Sequence, residues 1–388
     1  GRPALVSSLL ACAAHPSNNV PPALLDAISR RDRGLHLVPG HPLCTLRARI
    51  AGYWNAAYPA RSALGPCAFT IEDGLDPLVT AAQCFDDLLV PAGHACRSPS
   101  DTYWADGERV LRTHTSAHQS ELLRRGDAAF LVAGDVYRRD EVDRSHYPIF
   151  HQMEGVRVCG RAAGIGEAAV VADLRAGLEG MTDVLFPGAA TRWVDASFPF
   201  TEPSLELEVW HGGEWLEVLG CGAVRREILA GAGRGDATAW AFGLGLERLA
   251  MVLYDVPDIR LFWSEDRRFT EQFAAGEVTK FVPYSRYSPV LKDISFWTDR
   301  GGDAGPHAHT GAPYHLNDFN EAVRGVAGDL VERVELTDSF VHPDTQRVSH
   351  CYRLTYRSMD RNLTNAEIDE IQAELRAYVG RHLDVELR

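Results

Sequence analysis

One stretch restricts the possible folds of this chain more than any other. It runs from Gly134-Asp135-Val136-Tyr137-Arg138-Arg139-Asp140 to His146-Tyr147-Pro148-Ile149-Phe150-His151-Gln152-Met153-Glu154-Gly155. Leu131, Val132, Ala133 and Val136 supply one apolar run, and Phe150, Met153, Val156 and Val158 supply another. Two β runs around a polar turn predict strand, long turn, strand. The turn carries adjacent arginines, several carboxylates and a histidine. So charged a turn between apolar strands suits gripping an anion beside a flat ring. A solvated hairpin tip fits the composition equally well, and the rest of the chain has to decide.

The 388 residues leave room for two or three domains, each with its own core. Hydrophobic content of 45% and charged content of 24% place the chain among globular proteins rather than disordered ones. No run of about 18 apolar residues occurs, so a membrane span is not expected. The net charge of −14 makes the chain as a whole a poor nucleic-acid binder, so any RNA contact must come from local basic patches. The eight cysteines form no Cys-x-x-Cys pair, which argues against a zinc site or disulfide scaffold and for a reducing compartment. The chain begins at Gly1 rather than Met, which fits a removed targeting segment or a trimmed end.

Residues 1–40 read as an N-terminal extension in which Pro22 opens a short helix through Leu24, Leu25 and Ile28. His41-Pro42-Leu43 starts a helix reaching about Tyr58, with Leu43, Leu46, Arg47, Ile50 and Trp54 on one stripe. Cys67 to Thr70 is β-like. Val110 to Thr115 reads as a strand running into a helix, with Ser116 as N-cap and Gln119 completing a capping box. Glu167 to Leu185 is predicted helical, with Val171, Leu174, Leu178, Met181 and Leu185 facing a core. Leu205, Leu207 and Val209 alternate with Glu206 and Glu208, and Trp215 to Leu219 returns after a Gly-Gly turn. That antiparallel hairpin excludes a doubly wound parallel sheet. Ala239 to Gly245 leads into a helix carrying Leu246, Leu249, Ala250 and Leu253, which Pro257 ends. Composition shifts near Phe273 to Lys280, marking a boundary. Beyond it come a strand at Val290 to Trp297, a helix at Asp318 to Val326 and strands at Leu330 to Phe340 and Val348 to Tyr356. A helix opened by a Thr364/Glu367 capping box and a short strand at Leu383 to Leu387 complete a ferredoxin-like β-α-β-β-α-β order. Gly301 to Pro313 reads as a polar, Gly-rich insertion.

Five stretches could carry chemistry: His114-Thr115-Ser116 with Gln119, the opening hairpin, Phe198 to Ser204, Glu217 to Gly222, and Gly243 to Arg248. Arg248 in the first turn of a helix opposes the helix dipole unless an anion compensates, and it invites a phosphate or a glutamate partner. Gly220-Cys221-Gly222 allows a close backbone approach to a ligand, or a bulge. Phe198 and Phe200 lie on one side of an extended segment, as a ring sandwich or as ordinary core. No P-loop or dinucleotide-binding glycine motif occurs. His307, His309 and His315 could suggest a metal, but solvated histidines fit that insertion better.

These segments resemble the organellar, single-chain phenylalanyl-tRNA synthetases. The match lies in His41-Pro42-Leu43, Arg112 to Gln119, Gly134 to Gly155, Phe198-Pro199-Phe200-Thr201, Trp215 to Gly222 and Trp240 to Met251. The opening hairpin resembles motif 2 of class II synthetases, and Gly243 to Arg248 resembles motif 3. Lys292 to Trp297 and Ser349 to Arg357 resemble the family's anticodon-binding domain. The resemblance implies an α+β fold. A class II aminoacyl-tRNA synthetase antiparallel sheet core with flanking helices would occupy 41–275, and a ferredoxin-like anticodon-binding domain 276–388. It implies a phenylalanine–tRNA ligase that uses ATP and Mg²⁺, with L-phenylalanine and tRNA(Phe) as partners, no membrane and a monomeric state. It also implies the mitochondrial matrix, with plastid or dual targeting open, and no separate domain to clear tyrosyl-tRNA.

By the same resemblance, Arg138 clamps the α-phosphate and the phenylalanine carboxylate, and Asp140 lies near the adenine amino group. His146 reaches the outer phosphates, and Phe150 stacks on adenine. Arg248 lies on the other adenine face or at the γ-phosphate, and Glu217 is a candidate Mg²⁺ ligand. His114, Ser116, Gln119, Gln152 and Glu154 hold the polar end of phenylalanine, with Glu154 on the ammonium. Phe198 and Phe200 touch its ring, while Thr201 and Ala241 form the floor. Lys292 and Phe296 share a face of one strand, and Arg353 and Arg357 a face of another, which suits single-stranded RNA. Residues 280–388 are nonetheless net acidic, with 13 Lys+Arg against 17 Asp+Glu, so RNA affinity must be local. Two other readings compete: an RNA-binding paralogue without catalysis, and a class II synthetase for another amino acid. Arg138, Glu154, Glu217 and Arg248 weigh against the first, and Phe198, Phe200 and Ala241 against the second.

Overall fold

The computed structural model describes residues 2–160, 165–284, 287–299 and 314–388. The expected insertion at Gly301 to Pro313, with His307 and His309, lies outside the described residues.

Two helices, α1 (Arg2–Ala11) and α2 (Pro22–Ser29), open the chain. The N-terminal segment is built into the body. Leu5, Leu9, Leu24 and Ile28 share a buried core with Tyr103, Tyr137 and Ile149. Helix α3 (Pro42–Gly52), a π turn (Tyr53–Ala57) and α4 (Tyr58–Arg61) form one continuous rod. Its predicted apolar stripe, Leu43, Leu46, Ile50 and Trp54, is buried. The helix widens one turn before Pro59, which has no N–H to donate and would crowd the carbonyl four residues earlier.

Short elements β1 (Thr70–Glu72), β2 (Leu78–Thr80), α5 (Ala81–Cys84) and β3 (Arg109–Leu111) lead to α6 (Gln119–Arg125). The Ser116 N-cap expectation fails. Ser116 lies inside a 3-10 turn, Thr115–His118, and α6 starts after His118 with no side-chain cap. The predicted hairpin is β4 (Ala129–Tyr137) and β5 (Ile149–Gly160), paired from Ala129 with Arg157 to Tyr137 with Ile149. Helix α7 (Glu167–Leu185) has the predicted bounds, but Val170 rather than Val171 heads the buried stripe Leu174, Leu178, Met181 and Leu185. Strands β6 (Thr191–Ala196), β7 (Thr201–His211) and β8 (Glu214–Val224) follow, then α8 (Arg226–Gly231), β9 (Ala237–Gly245), α9 (Leu246–Tyr254) and α10 (Arg267–Thr270). The seven-stranded sheet has the order β1-β4-β5-β9-β8-β7-β6. It is antiparallel except where β1 joins β4 in parallel at the edge.

The C-terminal part has its own sheet and core. Strand β10 (Val290–Trp297), α11 (Leu316–Ala327), β11 (Val331–Val341), β12 (Val348–Tyr356), α12 (Asn365–His382) and β13 (Glu386–Leu387) give the predicted β-α-β-β-α-β order. The sheet order is β11-β12-β10-β13, so the first and third strands of the unit pair in its centre. Ile294, Phe296, Phe319, Val323, Tyr352 and Leu354 fill the space beneath α11 and α12. Thr364 accepts from Glu367 N as expected, but the Glu367 side chain pairs with Arg361, so only half of the capping box forms.

One buried ion pair ties α1 to the hairpin. Asp135, 7% exposed, lies 2.8 Å from Arg2 and 3.5 Å from Arg112, and accepts from the Tyr137 hydroxyl at 2.8 Å. Burial opposes its charge, but the two guanidinium groups hold its carboxyl well below the usual range. A depressed carboxyl contributes stability above the unfolded value of about 4 and loses it as pH falls. Asp135→Asn is therefore expected to cost about 3–5 kcal/mol at pH 7. Denaturant unfolding should show the deficit shrinking as the pH is taken below about 4.

Candidate active site

Alternation along β5 divides its side chains between two faces. Met153 enters the main core, and Arg157 meets Tyr58 and Asp173 on that side. Phe150, Gln152, Glu154 and Val156 face the other way. The register carries this second face across the sheet. Glu154 is opposite Gly243, Gly243 is opposite Gly220, and Gly220 is opposite Glu206. The next row is Val156, Ala241 and Gly222. The glycines leave a floor bare of side chains, and a Cβ on Gly243 would meet nothing within 4 Å. A Cβ on Gly220 would come within 2.8 Å of the Phe198 ring, so only glycine lets that ring lie over the strand. The half-buried Phe198 and Phe200 rings stand 5.7 Å apart with 3° between their planes. Thr201 is buried, its hydroxyl 2.7 Å from Ser204 Oγ, and Ala241 is buried beside it across Gly222. At that separation no third ring fits between them, so the expected sandwich does not form; the pair instead walls the glycine floor with an apolar face for a flat group.

Polar groups without partners ring this floor. Both Glu154 carboxylate oxygens, His114 Nδ1 and Gln119 Nε2 are buried and find no hydrogen-bond partner among the described residues. Buried polar atoms are nearly always paired, so three orphaned side chains in adjoining segments mark a place for a polar ligand. Burial pushes the Glu154 pKa up to about 7, with the nearby Ser116 hydroxyl opposing. Burial, with Arg138 beside it, pushes His114 down to about 3, so its ring is neutral. Gln152 Oε1 faces Thr115 N at 3.4 Å.

At the root of the hairpin turn, Arg138 Nε donates to Thr113 O at 2.8 Å, and the guanidinium lies 5.1 Å from the Phe150 ring centroid. Its two terminal nitrogens bond no residue among those described. This is a positioned, unfilled fork beside an aromatic face. Asp140 is half-buried. His146 is exposed, with Nδ1 2.8 Å from Asp143, and that hydrogen bond raises its pKa. Glu141, Asp143 and His146 bring their ligand atoms within 4.8 Å of one another on the outside of the turn. Across the floor, the exposed Arg248 pairs with Glu217 at 3.4 Å, the glutamate partner that its place in the helix allowed. Glu206 was missed by the sequence reading. Burial and the neighbouring Glu217 and Glu208 raise its pKa, while Arg248 opposes. Its signal was the alternation that places Glu206 and Glu208 on one strand face opposite Glu217.

In the C-terminal domain the expected RNA residues do not form one surface. Phe296 is fully buried and packs on Phe319 and Tyr352, so it is a core residue and offers no stacking face. Lys292, on the same strand face, pairs with Asp369 of α12. Arg353 stands on the opposite face, paired with Asp293, and Arg357 turns back to Glu332 at 2.9 Å. The open sheet face instead carries a cluster that the sequence reading overlooked. Arg347 and Arg388 lie 5.0 and 4.9 Å from the Trp297 ring, and Phe340 is 6.2 Å from Trp297.

Residues 60–273 match the family described as tRNA synthetases class II core domain (F), and residues 285–388 match the ferredoxin-fold anticodon binding domain. The chain belongs to the phenylalanine–tRNA ligase family. It is 48% identical over 96% of its length to the phenylalanine–tRNA ligase, chloroplastic/mitochondrial, of Arabidopsis thaliana, covering 83% of that protein. It is 44% identical over 93% of its length to the mitochondrial enzyme of Mus musculus, covering 84% of it. Against the mitochondrial enzyme of Saccharomyces cerevisiae it is 37% identical over 93% of its length, covering 90% of it. No described helix is long and apolar enough to cross a membrane.

The raised Glu154 pKa has a stability consequence. Its folded value of about 7 lies above the ordinary 4.5, so the burial penalty is absent at low pH and complete above pH 7. Glu154→Gln removes the titration. The stability difference between variant and parent, both without ligand, is expected to move by about 3 kcal/mol in the variant's favour between pH 5 and pH 8. Denaturant titrations at the two pH values check it.

Proposed function

We propose that this chain joins L-phenylalanine to tRNA(Phe) in organellar translation, in two steps on the glycine-floored face. The observation that carries this reading is the set of orphaned buried groups, His114 Nδ1, Gln119 Nε2 and the Glu154 carboxylate, beside the free Arg138 fork. One substrate satisfies them together. An α-ammonium pairs with Glu154, a side-chain ring lies against the Phe198 and Phe200 pair above Ala241, and a carboxylate turns toward Arg138. ATP would lie with adenine on Phe150 and its α-phosphate on Arg138.

In the first step a phenylalanine carboxylate oxygen attacks the α-phosphorus. A P–O bond forms, the bond to the β-phosphate bridging oxygen breaks, and pyrophosphate leaves. In the second step a ribose hydroxyl at the tRNA 3′ end attacks the acyl carbon of the adenylate, and AMP leaves. The residues act by positioning and by stabilising charge that accumulates on phosphate oxygens. The donor set at Glu206 and Glu217 fits Mg²⁺: carboxylate oxygens, with the Glu206 pKa raised by burial and by the neighbouring Glu217 and Glu208 charges. Glu206 and Glu217 would hold such an ion, which would supply positive charge to offset the charge of the phosphates. The relatives named mitochondrial or chloroplastic/mitochondrial support an organellar site of action. A monomer fits a site assembled within one chain.

Phenylalanine-dependent exchange of pyrophosphate into ATP tests the first step. Arg138→Ala should lower its kcat/KM by roughly 10²–10³-fold. Ala241→Val should raise the KM for phenylalanine by roughly ten- to a hundredfold, the equivalent of about 1–3 kcal/mol of overpacking. Exchange supported equally by a different amino acid would overturn the specificity.

For tRNA, the cluster of half-buried Trp297 and Arg347 with exposed Phe340 and Arg388 takes the place of buried Phe296 as the candidate stacking surface. Trp297→Ala is expected to weaken tRNA(Phe) binding by about 1–3 kcal/mol. Filter binding at fixed salt checks this, and an unchanged Kd would remove this face from RNA contact.

A further inference from the structure

The turn between β4 and β5 carries the groups assigned to ATP. It is tied to itself around Asp143 and to Pro99, Asp101 and Ile259 of the catalytic domain, and the C-terminal domain supplies a further set of contacts. Arg324 of α11 donates to the backbone carbonyls of Asp140 and Glu141. Arg139, adjacent to the phosphate-gripping Arg138, pairs with Asp318 at 3.0 Å and Glu321 at 3.6 Å. Val142 is buried in the C-terminal core, and its carbonyl accepts from Val334 N at 2.9 Å. Arg144 meets Glu332 at 2.7 Å.

We infer that the C-terminal domain is a working part of the amino-acid activation site, with Arg324 as a positioning residue for the ATP-binding turn. Resting on the reading that this turn grips ATP through Arg138, the inference extends it to a domain whose family description concerns the anticodon. A guanidinium across two successive carbonyls fixes the path of the backbone there, and so the direction from which Arg138 leaves it. Activation requires no tRNA. A domain concerned only with the anticodon would leave it unaffected by mutation of α11.

The test is tRNA-free pyrophosphate exchange by the full-length chain, with KM measured separately for ATP and phenylalanine. Arg324→Ala should raise the KM for ATP by roughly ten- to a hundredfold, because small misplacements of a binding group cost that much. The KM for phenylalanine should rise less, because Glu154 on β5 and His114 and Phe198 on neighbouring loops hold the rest of the amino acid, and only its carboxylate meets Arg138. Arg324→Lys should recover part of the loss, and Asp318→Asn should give a smaller rise in the same direction. Should Arg324→Ala fail to fold, the lysine and Asp318→Asn variants carry the test. Unchanged KM for ATP in the variants that fold, or parallel rises for ATP and phenylalanine, would overturn the inference. Arg138→Ala is run alongside. If it retains full exchange, the assignment of the turn to ATP fails, a different result from loss at Arg138 with none at Arg324.

Discussion

Alternation along β5 is the constraint from which both sides of the catalytic sheet follow. One set of side chains fills a core, and the other set must then face the bare floor. The two sides are mechanically joined. On the core side, His151 Nδ1 lies 2.6 Å from Glu247 Oε1, and His151 N donates to Oε2 at 2.7 Å. Leu35 N donates to His151 Nε2 at 3.1 Å, so the neutral ring carries its proton on Nδ1 and donates it to Glu247. Burial pushes His151 down to about 3, in keeping with a neutral ring. Glu247 precedes Arg248 in the first turn of α9, and His151 follows Phe150. A buried pair thus fixes the distance between the two groups assigned to ATP, from the core side of the sheet.

The two buried carboxylates near the hairpin show how stability and function are divided. Asp135 has two guanidinium groups and a hydroxyl, and its charge holds α1 against the sheet. Glu154 has only the Ser116 hydroxyl near it, no ion-pair partner among the described residues, and a pKa raised to about 7. Leaving a buried acceptor unsatisfied costs far more than a satisfied one contributes. Such a cost persists where the surrounding packing over-determines the position. Here that packing is the rigid row of Val132, Glu154, Gly243 and Gly220, held by ladder hydrogen bonds on both sides.

Much of this was legible in the sequence because it is local. The β4–β5 hairpin, α7 and the ferredoxin-like order each follow from periodicity within a single element. The errors arose where a residue answers to something distant. Ser116 has the sequence of an N-cap, but it faces Glu154, and the chain turns before α6 begins. Phe296 has the alternation of a half-exposed strand, but α11 and α12 cover that face, which only their placement reveals. Residues 2–40 read as an extension because Arg2 gives no local sign that its partner is Asp135. Site residues assigned by resemblance came together on one face where they lie on the sheet. Assignments on the C-terminal strands split between two faces, because basic and aromatic residues there also serve the core and the boundary between domains.

The charged turn at Arg138 to Pro148 fits neither alternative that its composition allowed. A solvated tip would leave its charges in water, and a ligand-gripping tip would leave them free for the ligand. The structure distributes them. Arg138 keeps an open fork, Arg139 and Arg144 are paired with acids of the C-terminal domain, and His146 is paired within the turn. Arg139 is only 9% exposed at its side chain, whereas Arg144 is 52% exposed, so the contact is firmest next to Arg138 and loosens away from it. Exposed pairs of the Arg144 kind contribute little by themselves. The seating of Val142 in an apolar core and the two carbonyls held by Arg324 are the anchors that can set geometry. The abundance of charge that made the turn ambiguous is therefore explained by two tasks, one facing the nucleotide and one facing the neighbouring domain.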